Sequence, residues 1–190
     1  MRKTYPMTIA GLHRELPICA LNDNLAIGAF VIFGDPELTT AAAKELLAIA
    51  PKYDYIITAE AKGIPLAHEM ARLAGNQKYL VARKKAKAYM QEVFDVPVHS
   101  ITTAGEQHLF LDKADADLIR GARICIVDDV ISTGESLHAV EELVKAAGGE
   151  IVGRLAILAE GDSQTRKDIQ YLEKLPLFHP DGTILEGSLH

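Results

Sequence analysis

Two cysteines, Cys19 and Cys125, are too few and too far apart to make a disulfide framework or a metal-binding spacing. That scarcity fits a reducing, cytoplasmic setting. No run approaches the roughly 18 consecutive apolar residues of a membrane span, and Arg2 and Lys3 are not followed by the apolar stretch of a secretory leader. A positive excess is also missing. Twenty Lys and Arg stand against 26 Asp and Glu, a formal net charge of −6, which argues against general affinity for nucleic acid. Internal repeats and low-complexity tracts are absent as well. What remains is an ordinary globular composition: 190 residues, 48% hydrophobic and 24% charged, suited to one α/β domain with a real core.

The order of elements narrows the fold class. Asp35 reads as an N-cap, Pro36 as the first helical residue and Pro51 as the stop beyond an alanine- and leucine-rich helix. Tyr55 to Thr58 then reads as a strand, Pro65 to Leu73 as a helix stopped by Gly75, and Tyr79 to Ala82 as a second strand. After Arg83 a long polar segment runs to about Ser100 and has the character of a lid, followed by an alternating hairpin strand from Gln107 to Leu111. Strand Arg123 to Val127, helix Glu135 to Ala147, a Gly148-Gly149 stop and strand Ile151 to Ala159 close the pattern. Alternating β and α elements predict an open, mostly parallel twisted sheet with helices on both faces and ligands beyond the carboxyl ends of its strands. We expect a single domain over 1–190, its core at about 36–160 and a small cap from 1–35 and 161–190.

The densest chemistry lies in Arg123-Ile-Cys-Ile-Val-Asp-Asp-Val-Ile-Ser-Thr-Gly-Glu-Ser136. A buried apolar strand ends at Asp128 and Asp129, and a small, hydroxyl-rich turn of Ser132, Thr133, Gly134 and Ser136 opens an amphipathic helix. The unpaired N–H groups and dipole of such a helix start favour a phosphate. Acids beside a phosphate cradle conflict unless the ligand carries both features: a phosphorylated sugar with vicinal hydroxyls, together with a divalent metal, needs both. The plain alternative is an acidic strand-to-helix turn with Ser132 or Thr133 as N-cap. Two other strand ends are polar: Glu60-Ala61-Lys62-Gly63, where Gly63 permits positive φ and a turn of N–H groups, and Arg83-Lys84-Lys85-Ala86-Lys87, a cationic run on an acidic chain.

The stretch from Ile124 through Ser136 resembles the phosphoribosyl pyrophosphate (PRPP) signature of the type I phosphoribosyltransferases, and the pattern at Glu60 to Gly63 and at Arg83 to Lys85 resembles the adenine-type enzymes. The resemblance covers roughly Tyr53 to Glu160. It implies a PRPP site built from Glu60, Ala61, Lys62, Gly63, Arg83, Lys84, Lys87 and Val130, Ile131, Ser132, Thr133, Gly134, Glu135, Ser136. Asp128 and Asp129 hold the ribose hydroxyls or Mg2+, Tyr89 and Glu92 are lid candidates, and Glu92 is a candidate catalytic group. For the base, the resemblance points to the segment of Phe30 and Val31; Phe33 and Phe178 are further aromatic candidates, and core packing explains any of these aromatics equally well. His68, His108 and His138 read as ordinary surface or edge residues.

The activity so implied is transfer of the 5-phosphoribosyl group of PRPP to a nucleobase, with release of pyrophosphate, by a homodimeric purine-salvage enzyme. Ser132 stands where hypoxanthine-guanine enzymes carry a further acid, which favours an adenine- or xanthine-type reading. Glu135 replaces a glycine common in the family, and Glu160-Gly161 stands where a xanthine-type lysine is expected. A xanthine- or orotate-type enzyme and a PRPP-sensing regulatory module are the alternatives. The latter is disfavoured by the acidic chain and by an amino-terminal segment of some 30 residues, too short for a winged helix.

Overall fold

The computed structural model describes residues 3–90, 92–99 and 106–190. Gln91 and Ser100, both within the expected lid, lie outside them. The chain opens with three antiparallel strands, β1 (Thr4–Ile9), β2 (Leu12–Ala20) and β3 (Ala26–Gly28), and then enters helix α1 (Pro36–Ile49). Strand β4 (Tyr55–Ala59), helix α2 (Ile64–Ala74) and strand β5 (Leu80–Ala82) come next as a parallel unit. An antiparallel hairpin, β6 (Val93–His99) with β7 (Glu106–Asp112), leads through α3 (Lys113–Ile119) to β8 (Arg123–Ile131), α4 (Glu135–Ala146) and β9 (Glu150–Glu160). A short 3₁₀ turn, Gly161–Thr165, connects to β10 (Gln170–Leu175) and β11 (Leu177–Phe178).

The main sheet is parallel throughout, in the order β10-β9-β8-β4-β5. Both its faces are covered, which is why β8 begins as an uninterrupted apolar run. Ile124 and Ile126 pack on one side with Leu111, Ile119, Leu137, Val140 and Leu143. Cys125 and Val127 pack on the other with Leu38, Leu46, Leu66 and Met70. Burial raises the Cys125 thiol to about 12, so it behaves as a small apolar side chain. No helix among the described residues is long and apolar enough to cross a membrane.

Several boundaries differ from the sequence expectation, each for a physical reason. Strand β8 does not end at the two acids; its ladder with β9 continues through Val130↔Leu158 and Ile131↔Ala159, so Asp128 and Asp129 are strand residues. The segment after Arg83, expected to be polar and irregular, contains β6, whose alternation is hidden by Asp95 and Pro97. Val96 opposite Leu109 supplies its buried side. Helix α3 rests on Asp112, whose carboxylate accepts the Ala114 N–H at 3.0 Å. The main sheet also reaches past residue 160. Strand β10 is an edge strand with exposed Glu173 and Lys174, a composition that blunts edge pairing and reads as loop in sequence.

The amino-terminal strands and β11 form a second sheet, β1-β2-β3-β11, tied to α1 by one cation. Arg14 on β2 donates to Asp35 from Nε at 2.6 Å and from Nη2 at 3.0 Å, and to Glu37 at 2.8 Å. Asp35 simultaneously caps α1 by accepting the Leu38 N–H at 3.0 Å. The hydrogen bonds from Arg14 hold its carboxyl below the ordinary range. Replacing Asp35 by Ala should therefore remove a cap and a bidentate ion pair together and cost about 1–2 kcal/mol in urea-unfolding free energy. A loss within error of zero would dissociate this contact from stability.

Candidate active site

The carboxyl edge of the main sheet gathers three loops. Asp129 is 3% exposed, and its N–H donates to Asp128 Oδ1 at 2.9 Å, so the two carboxylates share one desolvated corner. Burial first, and then the charge of Asp129, push the Asp128 carboxyl up to about 7. Lys62, from the loop after β4, reaches Asp129 Oδ2 at 3.0 Å. That oxygen is nevertheless buried without a hydrogen bond; the only other described buried side-chain atom in this condition is Arg83 Nε. Orphaned polar atoms are rare in folded proteins, and here both lie at the carboxyl edge of the main sheet.

Gly63 shows how closely those loops meet. Its φ is −71°, not the positive value expected from sequence, so the turn does not require glycine for its dihedral. Space requires it instead. A Cβ at this position would stand 2.1 Å from Thr58 Oγ1 and 3.2 Å from Asp128 Oδ1. The loop is thereby pressed onto the end of β4 and the first acid of β8. The Glu60-Ala61 peptide in the same loop is cis.

The cationic run after β5 closes on Glu60. The Lys84 N–H donates to Glu60 Oε2 at 3.2 Å, Arg83 Nε lies 3.5 Å from the same carboxylate and Lys87 Nζ 3.6 Å away. Burial opposes ionisation of Glu60, but the Lys84 N–H and the charges of Arg83 and Lys87 hold its carboxyl below the ordinary value. Beside this run lies a cavity of about 620 Å³ walled by Ala59, Lys84 to Ala86, His108 to Phe110 of the β6–β7 hairpin, and Ser136 and Ala139 of α4.

The third loop is the turn into α4. Its cap is Gly134 at φ +80°, rather than Ser132 or Thr133, and among the described residues no side-chain cap hydrogen bond is made there. A small hollow is bounded by Asp128 and by the chain from Val130 to Leu137. Backbone N–H groups left uncapped at such a hollow suit an anion.

A family model described as phosphoribosyl transferase domain matches residues 36–178. The chain belongs to the phosphoribosyl transferase family. It is an enzyme of that family, with the type I phosphoribosyltransferase fold. It is 33% identical over 163 residues to the hypoxanthine/guanine phosphoribosyltransferase of Methanococcus voltae, covering 83% of each chain. With the corresponding protein of Methanococcus maripaludis it is 34% identical over 131 residues, 68% of this chain and 66% of the relative. Among solved structures, adenine phosphoribosyltransferase from Rhodothermus marinus superposes with a TM-score of 0.62 over 91% of this chain and 94% of that one, at 22% identity. That from Thermoanaerobacter pseudethanolicus gives 0.62 over 75% and 84%, at 23% identity. These structural likenesses concern the fold.

Not every residue singled out in the sequence lies at this phosphoribosyltransferase's strand-end corner. Phe30 is buried in the core with Leu16 and Leu38, and it lines, with exposed Val31, a separate hollow beside Arg14 and Asp35. Phe178 is wholly buried edge-on to Tyr5, with ring centroids 5.1 Å apart, and is a core residue. Tyr89 and Glu92 are exposed; Glu92 precedes β6, and its carbonyl accepts the Lys113 N–H at 2.8 Å. Two residues that sequence reasoning passed over do belong near the corner. Glu160 ends β9, is buried, and is pushed up to about 7 by desolvation, against which the charge of Lys62 acts. Arg166, beyond the 3₁₀ turn, overhangs Gly134. Position at the same sheet edge was the available signal for Glu160; Arg166 had none.

A divalent ion would find no ready-made protein cage, because no three His, Cys, Asp or Glu side chains among the described residues group around a point. The two aspartates would have to be completed by oxygens of a ligand or water, as Mg2+ sites on phosphate substrates often are. Asp129 Oδ2, ion-paired with Lys62 but without a hydrogen bond, and the burial and neighbouring charge that raise Asp128 both suit a cation there.

Two measurements probe this geometry. Gly63→Ala should destabilise by about 1–3 kcal/mol through overpacking, and Thr58→Ala in the same chain should restore part of the loss; additive effects of the two changes would refute the contact. Glu160 in the folded state holds its proton up to about pH 7, whereas its ordinary value is 4.5, so its contribution to stability is intact below about 4.5 and is lost as pH rises through 7. Glu160→Gln should accordingly gain on the wild type by on the order of 2–3 kcal/mol at pH 8 relative to pH 5 in urea unfolding. An equal difference at the two pH values would contradict it.

Proposed function

We propose that this enzyme is a purine phosphoribosyltransferase, joining the 5-phosphoribosyl group of PRPP to a ring nitrogen of a purine and releasing pyrophosphate. The observation that carries the reading is the meeting of three loops with different chemistry at one sheet edge: the loop after β4, with Lys62 at 3.0 Å from Asp129 and Gly63 against Asp128, the cationic run after β5 closed on Glu60, and the start of α4. Each suits one part of PRPP. The turn Val130, Ile131, Ser132, Thr133, Gly134, Glu135, Ser136 takes the 5-phosphate on backbone N–H groups and hydroxyls. Asp128 and Asp129 accept from the ribose hydroxyls and hold Mg2+. Backbone N–H groups of Ala61 to Gly63, with Lys62, Arg83, Lys84 and Lys87, receive the pyrophosphate. Magnesium held by Asp128 and Asp129 would supply neutralisation of the negative charge that develops on the leaving group.

In the reaction the bond from the anomeric carbon to pyrophosphate oxygen breaks with its electron pair leaving on oxygen, and the base nitrogen forms the new bond and gives up its proton. Positive charge gathers on the ribose, as in glycosyl transfer generally, and negative charge on the leaving group. The aspartates answer the first and the cationic run the second. Holding both ends of PRPP fixes the anomeric carbon between them. Closure of the segment after Arg83 over the large cavity excludes water, which would otherwise hydrolyse PRPP.

For the base, we place hypoxanthine and guanine first, because relatives at 33–34% identity carry those names. Adenine is the second reading and is favoured by Ser132, which stands where hypoxanthine-guanine enzymes have an acid. A panel of adenine, hypoxanthine, guanine, xanthine, orotate and uracil, assayed with PRPP and magnesium for pyrophosphate and nucleoside monophosphate, tests the assignment. Hypoxanthine and guanine, or adenine on the second reading, should react, and Asp129→Asn should lower kcat/KM at least about a hundredfold, on the order of 3 kcal/mol, with unchanged circular dichroism. Turnover of no base in the panel would refute the proposal, and PRPP binding without turnover would favour a regulatory module.

A further inference from the structure

Arg166 belongs to none of the three strand-end loops, yet it is gripped from several sides. Its Nε donates to Asp168 Oδ1 at 3.0 Å and its Nη2 to Asp168 Oδ2 at 2.7 Å, a two-pronged grip that fixes the plane of the guanidinium. Its Nη2 is also 4.0 Å from Glu141 of α4. Asp168 and Glu141 are joined in turn by Arg154 of β9, which lies 3.6 Å from Asp168 and hydrogen-bonds Glu141. The backbone of Arg166 is anchored as well, its N–H donating to the Ser163 carbonyl at 3.1 Å.

The remaining arm of the guanidinium has a different environment. Nη1 stands 2.9 Å from where a Cβ at Gly134 would be, directly against the left-handed residue that caps α4. Among the described residues no acceptor takes a hydrogen bond from Nη1. The turn itself contains hydroxyls and N–H groups but no cation, and Glu135 adds a carboxylate to the first turn of the helix. A phosphate dianion in that hollow would meet N–H groups and hydroxyls but no cationic side chain among the residues that line it. Arg166 is the neighbouring group of the opposite sign.

We propose that Arg166 is a positioning residue for the phosphate end of the substrate: it holds Gly134 in its left-handed conformation from outside the turn and lends its charge to a sugar 5-phosphate seated within. This rests on the reading of the turn as the 5-phosphate site. The role differs from that of Lys62, Arg83 and Lys87, which face the pyrophosphate end. Arg166 therefore acts on one end of PRPP and not on the other. The grip by Asp168 keeps the cation over the turn before any ligand arrives, so little side-chain entropy is lost on binding.

Titration calorimetry with ribose 5-phosphate and, separately, with pyrophosphate, each in magnesium chloride, tests this on the full chain. Arg166→Gln should weaken ribose 5-phosphate about tenfold, corresponding to about 1.4 kcal/mol, raise KM for PRPP by a similar factor and leave pyrophosphate affinity within about twofold of wild type. Arg166→Lys should recover part of the loss, and added salt should narrow the gap between variant and wild type. Should Arg166→Gln fail to fold, Asp168→Asn keeps the cation but frees it, and should weaken ribose 5-phosphate alone by a smaller factor. Equal weakening of both ligands, or of neither, overturns the inference while leaving the function intact. A wild type that binds neither ribose 5-phosphate nor PRPP overturns the proposed function and this inference with it.

Discussion

The acid pair on β8, Asp129 buried and Asp128 partly so, is the constraint around which the strand-end loops are arranged. Two neighbouring carboxylates in one desolvated corner repel each other and lose hydration, which is why Asp128 is pushed up to about 7. A flexible loop would relieve that repulsion by moving apart. A strand paired with β9 at Asp128↔Ala156 and Val130↔Leu158 cannot. The sheet thus holds the acids together at a cost, and the neighbouring loop responds: Lys62 is drawn to Asp129 at 3.0 Å, and Gly63 is pressed against Thr58 and Asp128. A substrate with vicinal hydroxyls and a divalent ion, as proposed above, would relieve the same repulsion more completely than one lysine does, and that difference would be a source of binding energy.

The cations are organised by the same logic with the signs exchanged. Arg83 and Lys87 have Glu60 between them, at 3.5 and 3.6 Å, so the run after β5 is folded back on the protein instead of spreading into solvent. The distances are long and Arg83 Nε is without a hydrogen bond, so these pairs are loose enough to be exchanged for a stronger anion.

Legibility in the sequence tracked local determination. Helix α1 and its cap, the Gly75 stop and the apolar run of β8 are set by residues adjacent in the chain, and their expected positions differ from the observed ones by a residue or two, apart from the carboxyl end of β8. That end was misplaced because acids normally mark a surface, whereas here the ladder with β9 continues past them. Strand β6 was obscured by Asp95 and Pro97, which face outward in a two-stranded hairpin where neither disrupts the pairing. Gly63 was flagged correctly as special but for the wrong reason: its dihedral is ordinary, and only the tertiary approach of Thr58 forbids a side chain. Phe30 and Phe178 illustrate the converse, aromatic residues buried by partners distant in the chain, Leu16 and Leu38 for the one and Tyr5 for the other, which cannot be read from composition nearby.

The tail is where the sequence said least and the fold adds most. Residues beyond Glu160 contribute an edge strand to the main sheet, a partner for β3 in the second sheet, and the guanidinium that overlies Gly134. A single segment therefore couples the small sheet to the carboxyl edge of the large one. Ser163 reinforces the coupling: its hydroxyl donates to the Ile131 carbonyl at 2.6 Å, just before the turn into α4. Gln164 donates to the Leu175 and Ser188 carbonyls at 2.9 and 3.1 Å, fixing the 3₁₀ turn to the end of β10 and to the carboxyl-terminal residues. The turn from Ser132 to Ser136 is thus held from two sides, by the strand that leads into it and by a tail fastened to both sheets. A site whose own residues are small and hydroxyl-bearing has little packing with which to hold its shape, and it takes that shape from the neighbours that pack against it.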